Sequence, residues 1–408
     1  MLVTLIPLFD ENMSVRAYSL FSQKNNFLLN PSMLGTGQND GAAKVEGLEV
    51  IRNMGIETLP SDKEVFVTLN NISVFSDIDA QCDAPHGRIV LLIDDTFPPV
   101  EMYTGRLKEL KDNGYKLAIR KLAVHNFEDY RDILKLMDYI FINYKKIPLD
   151  KAKLYFNKVY PALKLCAGNI ESQEVFEEVK ALTGYDLFEG EFFRVPVTKG
   201  QNKVAPLKVN YIELLNTVNN NNFELAEAAD IIGRDPALAI SLLKMVNRMT
   251  INSQITSLRH ATAMLGQKEL KKWINTAVVH EMYSERPSEM TRLSLIRAKF
   301  AENLAPVFGQ EVQAQELFLV GLFSVLDVIM EKSMSEALKV IKVSKNISDA
   351  LIDRQGNMAL VLDFMLRYES ADWQEVSRQM ILQKIDVGPV YEAYMGALLW
   401  YRKISLDE

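Results

Sequence analysis

The first half of the chain alternates short apolar runs with amphipathic segments. Apolar runs of strand length lie at residues 65–69, 88–94, 116–120 and 139–143, and segments with one apolar helical face separate several of them. This alternation at short spacing predicts parallel strands joined by helical crossovers. About 195 residues are near the lower limit for a closed (β/α) barrel. The sequence therefore allows either a closed barrel or an eroded one.

The pattern changes in the second half. Beyond residue 209 apolar residues recur every three or four positions, which predicts an all-α bundle. Residues 198–208 mix proline, glycine and polar residues without a period and are interpreted as a linker. The predicted domains are therefore an α/β barrel at 1–197 and a helical domain with a C-terminal extension at 209–408.

Composition excludes several classes of protein. Apolar residues make up 48% of the chain and charged residues 24%, and the net charge of −7 argues against a nucleic-acid partner. The two cysteines, Cys82 and Cys166, fit neither a metal spacing nor a disulfide framework, so a reducing, cytoplasmic location is expected. The apolar start, residues 1–9, lacks the flanking features of a signal peptide and is predicted to be a first strand. With no run of about 18 uncharged apolar residues, we expect no membrane insertion.

Two cations end the strand at residues 114–122, where a parallel α/β fold places its catalytic side chains. These are Arg120 and Lys121. Asp94 and Asp95 form the paired carboxylate near another strand end, and they either belong to a residual metal site or cap a helix and face solvent.

Two segments of this half carry a family resemblance. Residues 114–119 resemble the lead-in to the Asp-Asp-Phe-Gly motif of the EAL domain, and residues 188–193 followed by Pro196 resemble its closing Gln-Gly-Tyr segment. The resemblance covers roughly residues 1–200. It implies the barrel of cyclic-di-GMP phosphodiesterases, whose chemistry needs one or two divalent cations held by carboxylates.

Carried over one at a time, the family's functional positions mostly meet residues unable to bind a metal. Its two aspartates fall at Arg120 and Lys121, and its closing glutamine falls at Glu189. Only Asn70 and Glu171 match the family. The remaining ligand, acid–base and phosphate-binding positions fall on Ser19, Gln23, Leu92, Phe141, Asn143 and Gly168. The resemblance therefore implies a vestigial pocket of Asn70, Arg120, Lys121, Glu171 and Glu189, with no catalytic residue, metal or cofactor, because two cations would repel a metal ion.

The second half resembles the HDOD domain, a catalytically silent relative of HD phosphohydrolases. The matching segments are residues 235–238, 242–247, 255–258, 260–261 and 265–266. Where active relatives carry His-Asp, this chain has Ser324 and Val325, and none of its four histidines precedes an aspartate. His260 is interpreted as a packing or capping residue. Without paired His and carboxylate ligands, metal-dependent hydrolysis is not expected here either.

The leading hypothesis is a non-enzymatic bacterial signalling protein, a scaffold that binds other signalling proteins through a degenerate EAL barrel and an HDOD domain. One alternative is a cyclic-di-GMP receptor that binds phosphate through Arg120 or Lys121 without hydrolysis. A second alternative is a residual metal-dependent phosphodiesterase that uses Asp94, Asp95 and Glu171. Self-association stays open.

Overall fold

The N-terminal part of the chain forms a closed eight-stranded barrel. The computed structural model describes residues 1–23, 44–59, 62–194, 206–220, 222–249, 255–282, 288–330, 332–341 and 343–405. The strands are β1 Leu2–Phe9, β2 Val15–Gln23, β3 Glu64–Thr68, β4 Ile89–Ile93, β5 Lys116–Ile119, β6 Tyr139–Asn143, β7 Lys164–Ile170 and β8 Leu187–Gly190. β1 is antiparallel to both of its neighbours, and β2 to β8 run parallel to one another.

Side chains from all eight strands fill the barrel interior. The strands are apolar because crossover helices cover the outer face of a parallel sheet while the barrel core covers the inner face. All five residues of β4 are buried. The interior cluster consists of Leu8, Ala17, Phe66, Val90, Leu92, Ala118, Tyr139, Phe141, Cys166 and Leu187.

The sheet is closed, but its helical ring is incomplete. The α-helices among the strands are α1 Glu46–Met54, α2 Glu101–Asp112, α3 Arg131–Leu134, α4 Leu149–Val159 and α5 Gln173–Ala181. The crossover from β3 to β4, which is described throughout, contains three short 3₁₀ helices in place of an α-helix. α3 is a single turn, whereas the pattern of residues 126–137 predicts a helix over the whole segment, so that prediction is wrong in length. Tyr130 restrains this segment, because its hydroxyl donates to the carbonyls of Asp95 and Phe97 at 2.9 and 2.8 Å.

The remainder of the described chain is helical. Its helices are α6 Pro206–Val218, α7 Leu225–Ile232, α8 Pro236–Met249, α9 Leu258–Met282, α10 Ser288–Leu304, α11 Ala314–Phe323, α12 Leu326–Met330, α13 Met334–Val340, α14 Lys345–Ser348, α15 Asn357–Glu369, α16 Trp373–Gln383 and α17 Val387–Ser405. α9 breaks at Gly266, where φ is 71°. The predicted fold class, a barrel followed by an all-α region, is confirmed. Among the described helices, none is long and apolar enough to cross a membrane.

Two compact units divide the chain, and each is built from separate segments. The barrel unit comprises Met1–Val195, Pro306–Gly309 and Asp363–Glu408, and the helical unit comprises Pro196–Ala305 and Gln310–Leu362. The expected helical domain, 209–408, differs from this division because the last 46 residues pack with the barrel. Most of the expected linker, 198–208, lies outside the described residues, and its last three residues belong to α6.

The helical unit is centred on the crossing of α10 and α11. A Cβ at Gly321 would lie 2.3 Å from the carbonyl oxygen of Arg297, so glycine lets the two helices approach closely. Farther along α10, Glu302 accepts hydrogen bonds from Lys272 and Lys299, each at 2.8 Å. The crossing and the ion pairs together fix α10 within the unit.

Candidate functional site

The candidate residues of the first half lie around one end of the barrel. Because β2 to β8 are parallel, their carboxyl ends meet there, and we call this end the barrel mouth. Arg120 and Lys121 directly follow β5, and Glu189 lies within β8. Asn70 and Glu171 follow β3 and β7. All five candidate residues therefore lie at or near the barrel mouth, and the directions of their side chains decide what the mouth can bind.

Arg120 and Glu189 form an ion pair inside the mouth. One guanidinium nitrogen, Nη2, lies 2.9 and 3.2 Å from the two carboxylate oxygens of Glu189. The two side chains are only 15% and 14% exposed. The guanidinium also lies over the rings of Phe141 and Phe21, with its central carbon 4.7 and 5.1 Å from the ring centroids. A partly buried, charge-assisted pair held by two aromatic rings is a strong interaction.

Arg120 and Ser19 each carry a buried polar atom, Nε and Oγ respectively, that has no hydrogen-bond partner among the described residues. Ser19 is 1% exposed and lies two residues before Phe21 on β2. Burying such atoms without a partner is costly, so an ordered water or a polar ligand entering the mouth would satisfy them.

Lys121 points away from the pair that its neighbour makes. Its backbone is in the left-handed region, with φ 62°, and its side chain is 66% exposed. Its ammonium lies 3.3 Å from Asp94, whose carboxylate also accepts from the Thr96 hydroxyl at 2.6 Å. Burial acts to raise the pKa of Asp94, but the hydrogen bonds from Thr96 and the Lys121 charge outweigh it and lower that pKa. Asp94 is therefore a paired carboxylate.

Asn70 and Glu171 are engaged in their own loops. Oδ1 of Asn70 accepts from the backbone N–H groups of Ile72 and Ser73 at 2.9 and 2.7 Å, which caps the turn after β3. Glu171 pairs with Lys145, and this hydrogen bond lowers its pKa. Of the five candidates, the structure brings Arg120 and Glu189 together; it leaves the other three with partners outside this pair.

The mouth does not fit the divalent cation that the EAL resemblance implies. Leu92 and Phe141 offer no oxygen and are 1% and 6% exposed. At Gly168 there is no side chain, and the carboxylate of Glu189 lies 3.5 Å from where its Cβ would be. The negative charge of Glu189 is already compensated by the Arg120 guanidinium. An arginine side chain keeps its positive charge at any ordinary pH. No three His, Cys, Asp or Glu side chains of the described part of the chain form a metal-binding group.

The helical unit also has a buried arginine, beside the position where the resemblance would place His-Asp. Arg297 is 3% exposed, and its Nη1 donates to the Ser324 hydroxyl at 3.0 Å. Val325 is 2% exposed and packs in the core. Burial raises the pKa of the nearby Asp327, against the opposing charge of Arg297. His260 is exposed, which disagrees with the packing alternative of its expected role and leaves the capping alternative as a prediction.

Sequence reasoning missed the aromatic partners of Arg120. Phe21 lies on β2 and Phe141 on β6, far apart in the chain, and only barrel closure brings them to one guanidinium. The available signal was alternation, since Ala17, Ser19 and Phe21 share a strand face and Ala17 lies in the interior cluster.

Comparisons with known proteins agree with the two-part organisation. Residues 204–355 match the family model of the HDOD domain, which confirms that prediction. The chain is 27% identical over 404 residues to the uncharacterised protein YuxH of Bacillus subtilis, covering 97% of this chain and 96% of YuxH. It is 28% identical over 330 residues to a Vibrio cholerae protein named cyclic di-GMP phosphodiesterase CdgJ, covering 79% of this chain and 75% of CdgJ.

Solved EAL structures are also among the matches. An EAL domain protein from Listeria monocytogenes has a TM-score of 0.35 and 13% identity, covering 47% of this chain and 86% of that protein. The PaMucR phosphodiesterase in complex with c-di-GMP has a TM-score of 0.36 and 12% identity, covering 47% of this chain and 94% of that one.

Proposed function

We propose that this protein acts in cyclic-di-GMP signalling without hydrolysing the dinucleotide, and that its barrel and HDOD domain present surfaces to other signalling proteins. The similarity to CdgJ over most of the chain supports the signalling context. The HDOD domain supports a regulatory role in the helical unit. The barrel scaffold and the altered mouth together support a role in binding.

The ion pair between Arg120 and Glu189 is the observation that carries this proposal. Phosphodiester hydrolysis of the EAL type uses divalent cations to polarise phosphate and to activate water. Here a guanidinium 2.9 Å from Glu189 supplies a fixed positive charge at the position where an aspartate ligand would be expected. A guanidinium can bind phosphate but cannot lower the pKa of a coordinated water as a metal does. Hydrolysis of the EAL type is therefore not expected at this mouth.

A turnover assay with the full-length protein tests the proposal. Cyclic-di-GMP is incubated with the protein and Mg²⁺ or Mn²⁺, and the linear dinucleotide is quantified by chromatography. We expect no product above the buffer control. Product that forms in wild type and disappears in the Asp94→Asn/Glu171→Gln variant would overturn the proposal in favour of the residual phosphodiesterase.

A receptor role is the second candidate, and the unpartnered atoms in the mouth favour it. Nε of Arg120 and Oγ of Ser19 are buried donors without partners among the described residues. Phosphate oxygens accept from such groups. Titration calorimetry with cyclic-di-GMP distinguishes the two roles. Micromolar binding that Arg120→Ala abolishes favours the receptor.

The matched control for this titration is Lys135→Ala. Lys135 directly follows α3, pairs with Asp132 and is 59% exposed. It therefore resembles Lys121 in charge and exposure, but it is not one of the candidate residues of the mouth. If Lys135→Ala weakens cyclic-di-GMP binding as much as Lys121→Ala does, the binding is nonspecific charge attraction. If wild type gives no heat of binding with cyclic-di-GMP, the receptor role is refuted and the scaffold role is retained.

A further inference from the structure

The barrel closes through very little backbone pairing between its first and last strands. β1 pairs with β8 only at Phe9 and Phe188, although β1 is eight residues long. At its other end β1 lies beside the mouth, because Leu2 pairs with Gln23, the last residue of β2. The outer edge of β1 therefore extends past β8 towards the mouth. An edge of this kind presents unpaired N–H groups.

The N–H groups of that edge can be accounted for one by one. In an antiparallel ladder alternate residues direct their N–H groups to opposite edges, so positions 3, 5, 7 and 9 share the edge away from β2. Phe9 pairs with β8. Pro7 has no N–H to satisfy. This leaves Val3 and Leu5 as the donors that need partners.

Two tyrosines from the far end of the chain supply those partners. The N–H of Val3 donates to the Tyr368 hydroxyl at 3.1 Å, and the N–H of Leu5 donates to the Tyr394 hydroxyl at 3.3 Å. Both hydrogen bonds are buried. Tyr368 lies near the end of α15 and Tyr394 lies in α17, more than 360 residues away from β1.

Other contacts hold the same helices against the barrel. The Thr4 hydroxyl donates to the carbonyl of Glu369 at 3.4 Å. Arg402, near the end of α17, pairs with Glu57 at 2.6 Å. Burial raises the pKa of the Tyr368 hydroxyl, so this hydroxyl remains protonated across the range in which proteins are studied. The C-terminal segment is thus part of the barrel unit.

We infer that Tyr368 and Tyr394 act as the closing contact of the barrel beside its mouth and take the place of the ladder that β8 does not provide. We call this pair the tyrosine clasp. The segment from residue 363 onward is then a structural element of the barrel. Residues 204–355, which carry the HDOD domain, lie in sequence between the barrel strands and this segment.

Hydrogen exchange of the full-length protein, followed by mass spectrometry, tests the clasp. Tyr394→Phe and Tyr368→Phe each remove one hydroxyl and keep the ring, so the matching β1 amide loses its acceptor. We expect exchange in residues 2–6 to rise at least tenfold relative to exchange in β3, residues 64–68. Tyr391→Phe is the matched control, because Tyr391 lies on the same helix and its hydroxyl accepts from the exposed Asn53 amide at 3.3 Å.

The ratio of exchange rates decides the outcome. A ratio between β1 and β3 that rises in both clasp variants and stays unchanged in Tyr391→Phe supports the inference. An unchanged ratio overturns it, whether both strands stay protected or both exchange faster, because the hydroxyls would then not protect β1 specifically. An equal rise in Tyr391→Phe overturns it as well.

Discussion

Replacing Arg120 by methionine tests the ion pair that sets the character of the mouth. Methionine keeps much of the apolar stem between Phe21 and Phe141 but removes the charge. Glu189, whose side chain is 14% exposed, would then be a largely buried carboxylate without its partner. Removing one member of a buried pair costs far more than the net value of the pair, because the remaining charge is uncompensated.

The expected cost follows from the burial of both groups. Breaking fully buried pairs costs about 3–5 kcal/mol, and the residual exposure of 15% and 14% lowers this to about 2–4 kcal/mol. Lys121→Met is the matched control. The Lys121 side chain is 66% exposed and its nearest carboxylate oxygen is 3.3 Å away, so its loss should cost about 0–1 kcal/mol.

Urea-dependent hydrogen exchange of β4, residues 89–93, reports the free energy of unfolding of the barrel unit alone. This local probe is needed because a chain of two units does not have one unfolding free energy. Arg120→Met/Glu189→Gln removes both charges and should recover at least about 1 kcal/mol of the loss. If Arg120→Met costs no more than Lys121→Met, the ion pair does not stabilise the mouth, and the reasoning is refuted.

Three further predictions concern other parts of the chain. Burial acts to raise the pKa of Glu302, but hydrogen bonds from Lys272 and Lys299 outweigh it and hold that pKa below 4.5. The stabilisation that the Glu302 carboxylate contributes is therefore complete above pH 4.5 and is lost as the pH falls through the lowered pKa. Glu302→Gln should therefore cost the helical unit about 1–3 kcal/mol at pH 7 and less at pH 3, measured by urea-dependent hydrogen exchange of α11, and an equal cost at both pH values would contradict this. Gly190→Ala should cost at least about 1–3 kcal/mol in the β4 exchange assay, because its Cβ would meet a β7 carbonyl oxygen at 1.9 Å, and a neutral result would show that β8 can move. Cys166 is buried and burial raises the pKa of its thiol, so it should react with a thiol reagent at pH 8 only in urea; reaction in the native protein would show an open barrel.

Elements with a clear period could be predicted closely from the sequence. The apolar run at residues 139–143 agrees at both ends with β6, and the helical period of residues 373–383 predicts α16 with the bounds that the structure has. The prediction failed where tertiary contacts overrode local preference. The segment 126–137 has helical character, but the contacts of Tyr130 with the loop after β4 leave only one turn of α-helix.

The site could be placed but not oriented. Arg120 and Lys121 follow β5 as the pattern predicted, yet one guanidinium is held inside the mouth and one ammonium lies outside it. Periodicity assigns residues to strand ends, but the backbone turn at Lys121, with φ 62°, changes the alternation there. The tyrosine clasp was beyond sequence reasoning, since no local pattern connects Val3 with Tyr368.

Each of the two folds of this chain has a buried arginine at or beside a position where the resemblances would place a metal ligand. In the barrel, Arg120 lies where the resemblance would place a metal-binding aspartate, and it pairs with Glu189. In the helical unit, the 3% exposed Arg297 donates to Ser324, where the resemblance would place a histidine of active relatives. Simple loss of metal ligands would leave uncompensated polar groups or cavities in both interiors, which is costly. A buried guanidinium supplies a permanent charge and several donors, so each interior is stabilised without a metal.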